Sequence, residues 1–223
     1  MAEKYGNVPE KFTKEWWEYF WMYYKWHVII PIIALLLIIF TIHEKNNEEK
    51  FDLTLTYAGK MQYSQETADK LEVKFSPLCQ DVDRNGKKSL LFTQLNIDYN
   101  SADKEYVAAS ELNLQLSFAE KETYIFILDD ETAKRYQGED KTECVFAPLK
   151  DWLSEKISVN NSFEAHNEKY GVELSNCKLF EELGMDMSNH YLFIRYYPRE
   201  DQQDEQLPGY RAAITFANRI LLQ

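Results

Sequence analysis

Asp81, Asp83 and Asn85 stand at alternate positions in Asp81-Val82-Asp83-Arg84-Asn85-Gly86, the spacing of the first half of a calcium loop. Alternate side-chain oxygens can surround one hard cation, and glycine at the sixth position permits the sharp bend that gathers them. The second half departs from the pattern. Phe92 fills the twelfth position, where such loops carry a bidentate carboxylate, and Lys87 and Lys88 set positive charge beside the oxygens. An Asx turn joining a helix to a strand accounts for the same residues without an ion, and is the expectation.

Asp129 and Asp130 end the apolar run Tyr124-Ile125-Phe126-Ile127-Leu128. Such a run reads as a central strand buried on both faces, and open α/β sheets place ligands beyond the carboxyl ends of their strands. Two carboxylates there suit cation binding or proton transfer. With an aromatic neighbour such as Trp152 they would form a small-ligand site. The plainer expectation is that Asp130 caps a short helix over Glu131–Gln137.

The remaining reactive types are scattered. His27 and His43 flank an apolar segment, and His166 and His190 lack metal-ligand spacing. Cys177 with His190 has no local support as a nucleophile and base. Cys79, Cys144 and Cys177 are odd in number; a Cys144–Cys177 bridge is one alternative, three isolated buried thiols the expected one. Neither a nucleophile elbow nor a phosphate loop nor a dinucleotide fingerprint occurs. The sequence calls for no cofactor and gives no support to catalysis.

The elements that must carry these residues alternate in type. Strands are expected at Asp52–Gly59, Ser89–Tyr99, Tyr124–Leu128 and Tyr191–Tyr197. Helices are expected over Thr67–Leu78 with Ser64 as N-cap, over Ala102–Lys121, and over Tyr210–Leu222. Leu112, Leu114, Leu116 and Phe118 alternate with period two, so the second half of 102–121 also reads as a strand. A hairpin or loop is expected around Gly171. The pattern predicts one α/β domain over 51–223, a mixed, largely parallel sheet with flanking helices.

Ahead of that domain lies a segment of another kind. Val28 to Ile42 holds fifteen residues without a charge, only about 22 Å of helix against roughly 30 Å of hydrocarbon. Starting the helix near Tyr19 supplies the missing length. Trp16, Trp17, Trp21, Tyr24 and Trp26 suit the headgroup region, with an apolar ring and a wet N–H or O–H. Lys25 can snorkel there, and Pro31 is expected to bend the helix. Phe40 to Lys45 offer no small-residue cleavage site, so the expectation is a retained anchor at 28–42. It follows an interfacial or cytoplasmic lead, 1–27, and precedes a polar link, 43–50. Four Lys before the segment against Lys45 and Lys50 after it favour a cytoplasmic N-terminus and an external domain.

The whole formal charge of −12 falls in residues 43–223, with 21 basic against 33 acidic side chains. An acidic domain is repelled by phosphate backbones, so nucleic acid is not an expected partner.

Glu111 to Leu153 resembles the first lobe of extracellular solute-binding proteins of ABC transporters. Ile125 to Asp129 correspond to that family's central strand, Ala133 to the short helix after it, and Phe146, Pro148, Leu149, Trp152 and Leu153 to its next apolar phrase. The strand–helix–strand over 52–99 fits the same lobe. Glu120-Lys121-Glu122-Thr123 replaces the family's glycine-containing turn. At about 175 residues the domain has room for one lobe rather than a hinged pair. The resemblance implies a single lobe without a clamshell. A single-pass protein of the cell membrane follows as the expectation. Its partners would be the bilayer and a membrane complex, a transporter by resemblance, which it serves as a non-catalytic accessory subunit. An extracytoplasmic small-ligand module is the alternative.

Overall fold

The computed structural model describes residues 9–47, 51–120, 123–159, 161–197 and 207–223. The chain divides into two compact units, Met1–Glu49 and Lys50–Gln223.

The first unit is one helix, α1 (Lys14–Asn47). Thr13 sets its start: the hydroxyl oxygen accepts the Trp16 N–H at 3.2 Å, satisfying one of the free amides of the first turn. The helix therefore begins five residues before Tyr19 and runs on into the expected link. Residues 48–50 of that link and 1–8 of the lead lie outside the described residues. The helix is continuous through Pro31. Since proline has no N–H, the His27 carbonyl loses its intrahelical donor there, beside the aromatic cluster. Lys14–Thr41 is long and apolar enough to cross a membrane. Phe12, Trp16, Phe20 and Tyr24 form a ladder of ring contacts with centroids 5.4–5.8 Å apart. Trp17, Trp21, Tyr24 and Trp26 stay exposed, as does the run Leu35–Phe40.

The second unit is built on a six-stranded sheet in the order β2-β1-β3-β6-β5-β4. Its strands are β1 (Leu53–Gly59), β2 (Leu90–Asn96), β3 (Ile125–Asp129), β4 (Ser162–Ala165), β5 (Glu168–Glu173) and β6 (His190–Ile194). Helices α2 (Gln65–Phe75) and α3 (Lys104–Ala119) make the two long crossovers, and α7 (Leu207–Leu221) closes the chain. Short helices α4 (Asp130–Arg135), α5 (Leu149–Trp152) and α6 (Lys178–Glu181) line the connections.

The chain steps outward from β1 to β2, then returns past β1 to β3. Right-handed crossovers taken in opposite directions put their helices on opposite faces. Accordingly, Ala68, Leu71 and Phe75 of α2 pack on Leu55, Tyr57, Ile125 and Ile127, joined by Phe216 and Ile220 of α7. Val107 and Leu114 of α3 pack on Ala58, Phe126 and Leu128. All of β3 is buried, as its unbroken apolar run predicts.

The sheet is mixed, but it is not largely parallel. β1 pairs in parallel with β2 and β3, whereas β3–β6, β6–β5 and β5–β4 are antiparallel. α4 and α5 are too short to carry the chain back along the sheet, and a tight hairpin joins β4 to β5. Its turn is not at Gly171. It lies at His166 and Asn167, both at positive φ (49° and 61°), the backbone of a two-residue hairpin loop. Gly171 sits inside β5, where a Cβ would come within 2.5 Å of the Phe193 ring. Glycine there lets the ring lie on the strand.

The period-two leucines of 112–118 belong to a helix, which ends at Ala119; Lys121 lies outside the described residues. Residues two apart on a helix fall on nearly opposite sides. Leu114 thus faces the core while Leu112 and Leu116 face outward.

The β2 edge is closed to further strands. Glu72 Oε1 accepts the Phe92 N–H at 2.8 Å, and Ser76 Oγ accepts the Leu90 N–H at 3.2 Å. From β2 itself, the Gln94 side chain bonds both the N–H and the carbonyl of Tyr63 and so holds the start of the α2 crossover beside this edge. Side chains of α2 and its end thereby take the place of another chain's backbone. Glu72→Ala is expected to destabilise the domain by about 1 kcal/mol, read by urea unfolding, and to promote aggregation on warming. Unchanged unfolding and light scattering would show that the edge is guarded otherwise.

Candidate functional site at the carboxyl edge of the sheet

β1 and β3 are neighbours, and β1 runs on into α2 on one face and β3 into α4 on the other, so their carboxyl ends form the topological switch point where open sheets bind ligands. Asp129 stands there, 8% exposed. Its carboxylate is committed to the backbone. Oδ1 accepts the Thr132 N–H at 2.8 Å, and Oδ2 accepts the Lys60 N–H at 3.1 Å. Asp129, not Asp130, is therefore the N-cap of α4: its φ/ψ of −72°/164° is extended, whereas Asp130 is already helical. Asp130 instead pairs with Lys134 one turn on, at 2.6 Å, on the surface.

Glycine makes room for this carboxylate. A Cβ on Gly59 would lie 3.0 Å from Asp129 Oδ2 and 3.0 Å from the Tyr57 hydroxyl. The Gly59 carbonyl accepts the Ile97 N–H at 2.8 Å, and the Lys60 carbonyl accepts from Asn96 Nδ2 at 2.8 Å. Lys60 reaches outward to Glu131 at 3.2 Å, and that carboxylate raises the amine above its ordinary range.

Next to it, Tyr57 and His190 are both buried. His190 Nδ1 lies 2.9 Å from the Ser188 carbonyl, which can only accept, so Nδ1 carries the proton. Nε2 then accepts from the Tyr57 hydroxyl at 3.0 Å, and that hydroxyl accepts the Met61 N–H at 3.2 Å. Every polar atom of the pair is satisfied within the fold. Burial drives the Tyr57 hydroxyl well above the usual phenol range, with the neighbouring Tyr63 adding to it. Tyr63 itself is pushed up to about 12 by burial and donates to the Asp186 carbonyl at 3.1 Å. These phenols are held as neutral donors, the opposite of an activated tyrosine. Sequence reasoning did not bring His190 to this edge. No local spacing signals it, because β6 reaches β3 only through the antiparallel half of the sheet.

Trp152 lies elsewhere, 3% exposed in the core on the α2 and α7 face. Its Nε1–H donates to the Ala147 carbonyl at 3.3 Å.

The second candidate forms as an Asx-rich loop with an added member. Asp52, from just before β1, joins Asp81 and Asp83, with one carboxylate oxygen of each within 4.8 Å of the others. Backbone and side-chain donors of the loop already reach all three. Asp52 accepts from Val82 N (2.6 Å) and from Ser89 N (2.8 Å) and Oγ (3.2 Å). Asp81 accepts from Asn85 N (3.1 Å) and Gly86 N (3.0 Å), and Asp83 from Asn85 N (3.0 Å) and Nδ2 (2.7 Å). Asn85 Oδ1 accepts the Lys87 N–H at 2.7 Å. Gly86 takes φ +82°, the bend the motif anticipates. A cation here would have to share oxygens that the turn already uses.

The three thiols are free, Cys79 and Cys144 buried and Cys177 half-buried. Burial pushes Cys79 up to about 12 and raises Cys144 and Cys177 as well. A raised thiol holds less thiolate at neutral pH, and thiolate is the nucleophile. All three are expected to resist iodoacetamide at pH 7.5 for hours in the native protein and to react within minutes in guanidinium. Fast native labelling of Cys79, read by mass spectrometry, would contradict this.

Neither the protein-family models, nor the curated proteins, nor the solved structures compared with this chain give a match.

Proposed function

We propose that this chain is a single-pass membrane protein whose acidic α/β domain is a non-catalytic interaction module, an accessory subunit of a membrane complex. The observation that carries the reading is the outer face of α3, where Leu112 and Leu116 stand exposed on a helix already packed on its other side. A surface helix of a layered domain ordinarily turns polar residues outward, so exposed leucines one turn apart on that side mark a surface for contact. The commitment of Asp129, Tyr57 and His190 to the fold favours the same reading over an enzyme. That the complex is a transporter rests on the sequence resemblance alone.

The test is crosslinking and affinity recovery of the full-length protein from native membranes, against a control in which residues 14–47 are exchanged for an unrelated anchor. Recovery of a defined membrane complex supports the reading; recovery of nothing specific overturns it. Orientation is tested separately by adding protease to intact cells. The domain is expected to be digested, and full protection until lysis would place it inside.

A further inference from the structure

The outer side of α3 presents Ala108, Ala109, Leu112, Leu116 and Ala119 to solvent, bordered by the exposed Asn113 and Gln115, with Leu112 56% and Leu116 53% exposed. The opposite side of the same helix, Val107, Ser110 and Leu114, is buried on the sheet. The outward stripe is straight and one helix wide. Its alanines leave shallow gaps between the leucines, the relief that a second helix fills when ridges enter grooves.

The charge that α3 itself carries has one dominant sign. α3 and its two caps carry Asp103, Glu105, Glu111 and Glu120 against Lys104 alone. Lys104 directs its ammonium to the Tyr99 carbonyl at 2.8 Å. A second copy of the chain would bring the same acidic rim and another formal charge of −12, so like charges would meet across the contact. Anionic lipid headgroups are repelled for the same reason. A helix with an apolar face and Lys or Arg along its flanks is attracted by the rim and accommodated by the stripe.

We infer that the outer face of α3 docks a cationic amphipathic helix belonging to another protein of the complex. This rests on the interaction-module reading and names the chemistry of the partner. Its apolar residues would cover Leu112 and Leu116, and its basic flanks would face Glu105, Glu111 and Glu120.

The experiment places a photo-crosslinking amino acid at position 116 of the full-length protein in native membranes. The same group at position 73 serves as control, since Val73 is an exposed apolar residue of α2. The expected result is one adduct from position 116, mapped to a segment with helical apolar spacing and an excess of Lys and Arg, and no such adduct from position 73. Leu112→Glu is expected to reduce that adduct at least about tenfold while leaving the melting temperature unchanged, because Leu112 is outside the core. A merely electrostatic encounter would instead be strengthened against a cationic partner by the added carboxylate. Adducts to a second copy, to lipid or to an acidic segment overturn the inference, as do equal yields from positions 73 and 116. A complex recovered from membranes without an adduct at 116 sinks this inference and leaves the interaction-module reading standing. Failure to recover any complex removes both.

Discussion

Asp129→Ala is expected to destabilise the α/β domain by about 3 kcal/mol, the sum of a lost helix cap and a second buried amide left without an acceptor. The carboxylate holds the Thr132 N–H at the start of α4 and the Lys60 N–H at the end of β1. Removing it uncaps the helix and leaves the Lys60 N–H without its acceptor. For a domain of this size the loss corresponds to roughly 6–12 °C in melting temperature. Asp130→Ala makes the contrast. Its carboxylate pairs with Lys134 on the surface, where the exposed pair is screened by water and salt. It should move the melting temperature by no more than about 1 °C. Thermal melts of both variants, read by circular dichroism, decide between structure and function at this edge. If Asp129→Ala melts like the parent and abolishes a measurable binding or turnover, the carboxylate serves a ligand and not the fold.

Arg195→Met should destabilise the domain by about 3 kcal/mol, as expected when charge-assisted bonds to buried acceptors are lost. Arg195 is 7% exposed. Its Nη1 donates to the Phe118 carbonyl at 2.7 Å and to the Glu120 carbonyl. These are among the final carbonyls of α3, which have no partner further along the helix and carry the negative end of its dipole. The guanidinium also lies 5.3 Å from the Tyr124 ring centroid and 5.6 Å from that of Tyr197. Burial lowers its pKa, yet an arginine remains charged at any pH the fold survives. The cation therefore ties the end of α3 to β6, two elements far apart in sequence. Hydrogen exchange should localise the loss: the last turn of α3 opens first in Arg195→Met, while the amides of β1 and β2 keep their protection relative to the global stability. Uniform loss across the domain would mean that Arg195 acts through general packing. Arg195→Lys should recover only part of the stability, because a compact, strongly hydrated ammonium would replace the planar guanidinium beside the Tyr124 and Tyr197 rings.

Both residues show how reading the chain and seeing it folded divide the work. The helix long and apolar enough to cross a membrane needed no tertiary structure to be recognised. A charge-free run beside a cluster of Trp and Tyr is a statement about solvent preference, and composition states it directly. Its start was misplaced by five residues because a single Thr13 hydroxyl, rather than hydrophobicity, begins the helix. Within the domain, β1, β2, β3 and β6 were readable for a related reason. Buried strands must be apolar along short runs, so Ile125–Leu128 and Leu192–Ile194 mark themselves. Ser64 could be recognised as a cap, because capping is settled within four residues.

Whatever depended on pairing could not be read. Nothing in Phe163, Gly171 or Leu192 specifies that β4, β5 and β6 run antiparallel on one side of the sheet; short connections and a two-residue hairpin decide it. The direction of α3's leucines was equally hidden. Period two and helical period overlap across seven residues, and only the sheet beneath Leu114 and Phe126 tells inside from outside. The candidate site was half visible. Asp129 could be placed at a strand end from its neighbours, because a strand's termination is local. Its bond to the Lys60 N–H, the neighbouring Tyr57–His190 pair and the addition of Asp52 to the Asp81 loop join residues 30 to 133 positions apart. Local chemistry determined which groups this chain owns and which segment is long and apolar enough to cross a membrane. Long-range packing decided which of those groups are consumed by the fold and which face of α3 stays exposed.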